Sequence, residues 1–305
     1  MAIKYGRARW LNAPRMAAGS ANPPYLEKLM KKRHTAVAML VLGLGLVVCA
    51  RAAEPVPELW FPVGEKLTYR IYWGMFKVGI TTTATGWIEE DGRTRLAIRF
   101  RTRTNRILEK LYPVDDFLEA IIDPVTFLPV RFTKRLKEGR YRADETTVFD
   151  HARGVAHWRS NMTDKKKDFA IEPDTRDVIS FMYFMRSRPL KIGDTVHARV
   201  MADEKLYDLY VNIRRRENLK LPEMGRRPSV KLEPEAAFNG LFVRKGKLWM
   251  WVSDDKDRFC TKLAAKVPVA SVSLWLTKVE VEPDRVVTGE SEDDEELEVD
   301  DEPAS

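Results

Sequence analysis

From Glu65 onward the dominant pattern in this sequence is alternation with a period of two. "EKLTYRIYW" places Leu67, Tyr69, Ile71 and Trp73 on one face. "RTRLAIRFRTRTN" points Leu96, Ile98 and Phe100 one way and Arg95, Arg99, Arg101 and Arg103 toward solvent. Comparable runs recur in "DDFLEAIID", "FLPVRFTKRLKEG", "YRADETTVFD", "DTVHARVMAD", "KLYDLYVNIRRRE", "SVKLEPEAAF", "KLWMWVSD", "FCTKLAAKVP" and "ASVSLWLTKVE". Alternation interrupted by turn residues marks antiparallel strands with one buried face. The pattern predicts a mostly all-β fold, a large antiparallel curled sheet, in a single domain over 61–281.

One segment departs from this period. "EPDTRDVISFMYFMRSRPL" is apolar almost all round from Val178 to Met185. A helix apolar on every side is buried on every side. The spacing predicts one buried helix near 174–188, capped by Asp174 and ended by Arg186, Arg188 and Pro189. Its place in an all-β domain is the concave face or mouth of the sheet. Asp177, Ser180, Tyr183 and Arg186 recur three apart and share one helix face. That polar stripe either faces a ligand inside the sheet or satisfies backbone groups at the helix start.

A second constellation is "KLWMWVSDDKDRF", with Asp254, Asp255 and Asp257 beside Trp249 and Trp251. A calcium loop counted from Asp254 needs glycine at its sixth position and an acid at its twelfth. Phe259 and Ala265 stand there instead. The aspartates lie between two alternating runs, as the polar residues of a hairpin turn do. Trp249 and Trp251 then share one strand face, either in the core or lining an apolar pocket.

Charge and targeting signals bound the setting. From Asp284 onward there are eleven acidic residues and one basic residue. Residues 1–283 therefore hold 51 Lys and Arg (52−1) against 34 Asp and Glu (45−11). A basic body carries an acidic tail, 282–305, whose dense like charge predicts disorder. Before the strands, "MKKRH", "TAVAMLVLGLGLVVCA" and "ARAA" follow the layout of a secretory signal peptide over 30–52. The apolar run, 35–50, is shorter than the roughly 20 residues of a spanning helix. No stable membrane span is expected after cleavage, and residues 1–29 read as an over-long gene start. Residues 53–60 form a Pro-rich lead-in. Val48 before Cys49 is too large for a lipidation site. Cleavage leaves Cys260 as the only cysteine, so the mature fold holds without an internal disulfide.

These features predict a protein of the periplasm or cell envelope. Export argues against nucleic acid as the partner of the arginine-rich strands, which suit a soluble surface or anionic headgroups and glycans. The three histidines of the mature chain, His151, His157 and His197, have no metal-ligand spacing. No nucleophile elbow, Walker loop or dinucleotide fingerprint is present. The sequence assigns no catalytic residue, metal or cofactor.

Three blocks in order, "FPVGEKLTYRIYWGMFKVG", "DVISFMYFMR" and "GKLWMWVSDDKDRFCTKLAAKVPVASVSLWL", resemble bacterial envelope proteins of the domain of unknown function 3108 family. The similarity spans about Phe61 to Val281. It departs at Cys260, where the family pattern has proline. The resemblance implies an exported β-rich half-barrel or barrel and implies no reaction.

The resulting expectation is a non-enzymatic binding or carrier protein for a lipid or other apolar envelope ligand. Trp73, Phe181, Tyr183, Phe184, Trp249 and Trp251 are candidate ligand-lining residues, with Asp177, Ser180 and Arg186 as candidate polar contacts. The rivals are an envelope partner-binding module, a glycan-binding module and an envelope enzyme. N-terminal sequencing of protein from an envelope fraction should find a chain beginning near Ala53. A retained Met1 or Met30 would contradict the targeting reading.

Overall fold

The computed structural model describes residues 57–236, 247–266 and 271–283. The expectations for 1–29, for the signal segment 30–52 and for the acidic tail beyond 283 lie outside the described residues. All described residues belong to one compact unit.

That unit is built on one sheet, antiparallel throughout except where the short β9 runs parallel to β10. β1 (Glu65–Trp73), β2 (Phe76–Glu90), β3 (Arg93–Thr104), a helical turn α1 (Arg106–Glu109), β4 (Asp115–Asp123) and β5 (Leu128–Glu138) come first. β6 (Tyr141–Asp150), β7 (Val155–Ser160), β8 (Lys166–Ala170) and the two-residue β9 (Arg176–Asp177) follow. After α2 (Val178–Ser187) come β10 (Thr195–Ala202), β11 (Lys205–Leu221) and β12 (Gly225–Ala236). β13 (Lys247–Ser253), β14 (Cys260–Lys266) and β15 (Ser271–Val281) complete the set. All fifteen strands join one sheet in the order β8-β7-β6-β5-β4-β3-β2-β1-β15-β14-β13-β12-β11-β10-β9. The first and last strands of the domain therefore pair at its middle, and the two free edges are β8 and β9. The large curled sheet is as expected, and of the open and closed forms the expectation allowed it takes the open one.

Local chemistry sets the hairpins. Asp91 and Gly92 both have positive φ, 53° and 67°, between Glu90 and Arg93. Two left-handed residues make the tight turn whose twist matches a two-stranded hairpin. The two strands then pair without interruption over twelve residues of β2 and β3. β7 and β8 are absent from the sequence expectation. Their signal was the buried alternation of Ala156 and Trp158, masked by His157, Arg159 and the lysines of "KKKDF".

The outer face corrects the reading of the arginine strand. Arg95 and Arg99 are buried, not solvent-facing. Arg99 stands directly opposite Glu119 of β4 and bonds it at 2.7 Å. Arg95 pairs with Asp123, and Arg101 and Arg103 share Asp115. Opposite charges across neighbouring strands stabilise the pairing by roughly 0.2–1 kcal/mol per pair. On the same face the Arg135 guanidinium of β5 stands over the Phe117 ring at 5.2 Å.

The inner face holds the core. Ile179 and Tyr183 of α2 pack with Leu96, Ile98, Ala120, Ile122 and Phe127. Phe181 and Met185 pack with Val200, Leu209, Val211, Val230, Leu232, Met250 and Val252. The helix thus fills the concavity between the two halves of the sheet. The edges also approach across the inside, where Lys134 of β5 bonds Glu145 at 2.9 Å and Asp203 of the β10–β11 turn at 3.2 Å. No helix among the described residues is long and apolar enough to cross a membrane.

The segment ahead of β1 depends on Gly64. Its φ is +91°, and a Cβ there would stand 1.8 Å from the carbonyl oxygen of Glu282. Gly92 has φ +67° with nothing within 4 Å of such a Cβ. Gly92→Ala should cost ~1 kcal/mol of stability from backbone strain alone, and Gly64→Ala at least twice that. Urea denaturation of both variants measures the difference; equal losses would contradict the close approach to Glu282.

Candidate functional site

The helix start is capped by Asp177, not by Asp174. Asp177 Oδ1 accepts from the Ile179 N–H at 2.7 Å and from the Ser180 N–H at 3.0 Å. Ser180 Oγ donates to Asp177 Oδ2 at 2.7 Å. Asp174 stands outside and pairs with Arg199 at 2.7 Å. The reason is the two-residue strand β9, which keeps Arg176 and Asp177 extended beside β10. The helix can begin only once that pairing ends. Burial raises the Asp177 carboxyl above the ordinary aspartate value, and its hydrogen bonds from Ser180 and Ile179 only partly offset this.

Further along the helix, Tyr183 and Arg186 carry the polar hub of the domain. Arg186 is buried and makes a two-pronged contact with buried Glu65 of β1, at 2.7 Å to Oε1 and 2.8 Å to Oε2. Its Nη2 also donates to the Asp257 carbonyl at 3.1 Å. The guanidinium lies 5.0 Å from the Phe61 ring centre, 4.9 Å from that of Tyr183 and 5.6 Å from that of Phe259. Aromatic faces attract a cation, more so where water is excluded. Burial alone pulls the guanidinium down, and the Glu65 carboxylate more than compensates, leaving it above the ordinary arginine value.

The surroundings complete this hub. Tyr183 Oη donates to Glu65 Oε1 at 3.4 Å and lies 3.5 Å from Thr83 Oγ1. Thr85 Oγ1 accepts from the N–H groups of Gly64 and Glu65. Tyr69 Oη donates to the Cys260 carbonyl at 2.9 Å. Burial pushes the Cys260 thiol up to about 12 and raises the Tyr69 and Tyr183 phenols. A thiol held protonated is a poor nucleophile. Among the described residues no cluster of three or more His, Cys, Asp or Glu could hold a metal ion.

The "SDDKD" stretch is the β13–β14 turn. Asp255 Oδ1 accepts from Ser253 Oγ and from the N–H groups of Asp257 and Arg258. That turn delivers the Asp257 carbonyl to Arg186. Sequence reasoning found both the turn and Arg186 and missed that they meet. It also missed Glu65, whose only signal was an acid at an inward position of the first strand.

The candidate residues separate into three places. Asp177 and Ser180 bond each other at the helix start and Tyr183 and Arg186 meet at Glu65 further along it, with Phe181 buried and Phe184 partly buried under Arg176 at 4.0 Å. Trp73 stands at the β1–β2 turn and is about half exposed, 48%. Trp249 and Trp251 do not join the helix. They alternate with Met250 and Val252, which face it, and so lie on the opposite side of β13. There Trp251 Nε1 donates to Glu217 at 2.9 Å and Trp249 Nε1 to Glu233 at 3.1 Å. Lys231 lies over both rings, at 4.7 and 5.1 Å.

Removing one partner of the hub leaves a buried charge. Arg186→Met should lower stability by ~3–5 kcal/mol. Pairing it with Glu65→Leu should recover a large part of that loss, since no charge is then stranded. Chemical denaturation of the two singles and the double tests this; additive losses would mean that the pair is not coupled.

Comparison with solved structures finds the fold again. A β-barrel-like protein of the domain of unknown function DUF1849 from Brucella abortus aligns with a TM-score of 0.50 at 10% identity, over 73% of this chain and 99% of that one. At that identity the likeness concerns fold alone. A structure of a candidate lipoprotein from Parabacteroides distasonis aligns at a TM-score of 0.29 and 7% identity, over 72% of this chain and 98% of that one, too weakly to carry an argument. Comparison with curated protein sequences finds no match. The family profile described as "Protein of unknown function (DUF3108)" matches residues 68–277, which takes in the strands from β1 to β15 and the capped helix with Arg186, and this chain belongs to that family.

Proposed function

We propose that this chain is a non-catalytic binding protein of the cell envelope whose concave face holds a lipid acyl chain or a comparable apolar ligand. One observation carries the reading. Inner-face positions beside the helix are fully buried, whereas toward the opposite end of the strands a set of apolar side chains is only partly covered, beside the polar Thr102, Asp116 and Lys134. Leu96, Ile98, Ile122 and Leu232 are sealed. Phe100, Leu118, Ile71, Leu274 and Leu263 are all of intermediate exposure. Register sets Phe100 against Leu118, Ile71 against Leu274 and Leu274 against Leu263, so they form two rows on the same concave side.

An apolar ligand laid along these rows would cover surface that the chain leaves in contact with water. Each buried methylene is worth about 0.8 kcal/mol. The helix supplies the floor, with Phe184, Phe181 and Tyr183 next to the hub, and Trp73 stands at the open end. Displacing the helix would strand the Glu65–Arg186 pair, so the ligand enters from the open end and the helix stays in place. Asp177, Ser180 and Arg186 then act on the ligand only by fixing that floor.

Native mass spectrometry of protein purified from its own envelope, with a fluorescent fatty acid as the added probe, tests the reading. Co-purifying lipid and probe uptake are expected. Leu118→Gln with Leu274→Gln should weaken probe binding about tenfold or more while leaving the fold intact. A folded wild-type protein that carries no lipid and takes up no probe would refute it.

A further inference from the structure

The open end of the sheet carries apolar side chains on turns. The β1–β2 turn presents Trp73, Met75 and Phe76, of which Met75 is 91% and Phe76 76% exposed. The β3–β4 connection, 105–114, presents Ile107, Leu111 and Tyr112, and Leu111 is 80% exposed. These two segments are fixed side by side. The Asn105 N–H donates to the Val78 carbonyl at 3.0 Å, and Asn105 Nδ2 donates to that of Lys77 at 2.8 Å. Asn105 Oδ1 meanwhile caps the helical turn through the Leu108 N–H at 2.9 Å. The β5–β6 turn joins them through the Gly139 N–H, which donates to the Pro113 carbonyl at 2.7 Å. The rim is therefore a rigid array of exposed aromatic and aliphatic groups, not a set of independent loops.

Its charge is one-sided. Segments 73–77, 105–114, 137–142 and 161–167 contain nine Lys and Arg and three Asp and Glu, a balance of +6 (9−3). Arg106, Lys110, Arg140, Arg142, Lys165 and Lys166 are all exposed. A net-positive set of turns around apolar tips does not suit the same rim of another copy of this chain. It does suit an anionic bilayer, in which apolar and aromatic groups sink to the acyl boundary while Lys and Arg meet the headgroups.

We infer that this rim docks the protein on anionic membrane surfaces, by insertion of Trp73, Met75, Phe76 and Leu111 between headgroups. The inference stands apart from ligand binding on the concave face. It also gives that face an orientation, since the partly covered rows of Phe100 and Ile71 end at the docked rim.

Flotation of the full chain with two kinds of vesicle tests it, equimolar phosphatidylglycerol and phosphatidylcholine against phosphatidylcholine alone. Binding to the anionic vesicles at low salt is expected, with loss as salt screens the exposed cations. Met75→Asp with Phe76→Asp should weaken that binding about tenfold or more, and Phe76→Trp should retain it. Arg106→Glu with Lys110→Glu should remove most of the preference for phosphatidylglycerol. All these positions are exposed, so circular dichroism and melting should match wild type. Wild-type protein that ignores anionic vesicles, or rim variants that bind them as wild type does, would overturn the inference. So would sedimentation showing that the rim variants dissociate a dimer. Fatty-acid uptake measured on Met75→Asp/Phe76→Asp separates the two readings. Uptake kept with docking lost leaves both standing; docking kept by a wild type that takes up no probe sinks only the concave-face ligand.

Discussion

The ion pair between Glu65 and Arg186 organises the inside of this domain. It ties the first strand to the helix across 121 positions of sequence. Through the Asp257 carbonyl it also ties in the β13–β14 turn. Charges so fully removed from water are costly unless every partner is in place. Here two carboxylate oxygens, a carbonyl, three rings and a tyrosine hydroxyl supply most of those partners, and Arg186 Nε is left without a hydrogen bond. That requirement fixes where the helix sits, which face it turns inward and how the segment before β1 must approach.

Once the helix is placed, the sheet has two unlike ends. The end near Glu65 is sealed by Phe61, Phe127, Tyr183 and Phe259, which gather around the guanidinium or pack beside it. The far end has no comparable plug among the described residues, and its inner apolar rows are only partly covered. The outer face needs no second layer over β3 and β4 because arginines and cross-strand carboxylates cover it. The packed end and the outer face thus carry most of these contacts.

The β11–β12 hairpin extends this logic. β11 is seventeen residues long, and its far part reaches back to the middle of the sheet. Glu217 accepts from Trp251 and Glu223 pairs with Arg70 of β1. The two tryptophans of "KLWMWVSD" are thus held against acidic and lysine partners on the side away from the helix.

The sequence alone determined the class of fold and most of its strands, because period-2 alternation is a local property that survives any tertiary arrangement. It also located the helix by its unbroken apolar surface and the "SDDKD" turn by its polar residues. Tertiary structure decided the cap, since β9 pairing delays the helix from Asp174 to Asp177. It decided that Arg95 and Arg99 are covered, because the carboxylates opposite them lie on β4, twenty or more residues away. It sent Trp249 and Trp251 to the face away from Phe181 and Tyr183, since alternation says that two residues share a face and not which one. Glu65 was the least legible: an acid at the head of a strand is ordinary until a distant arginine is folded onto it.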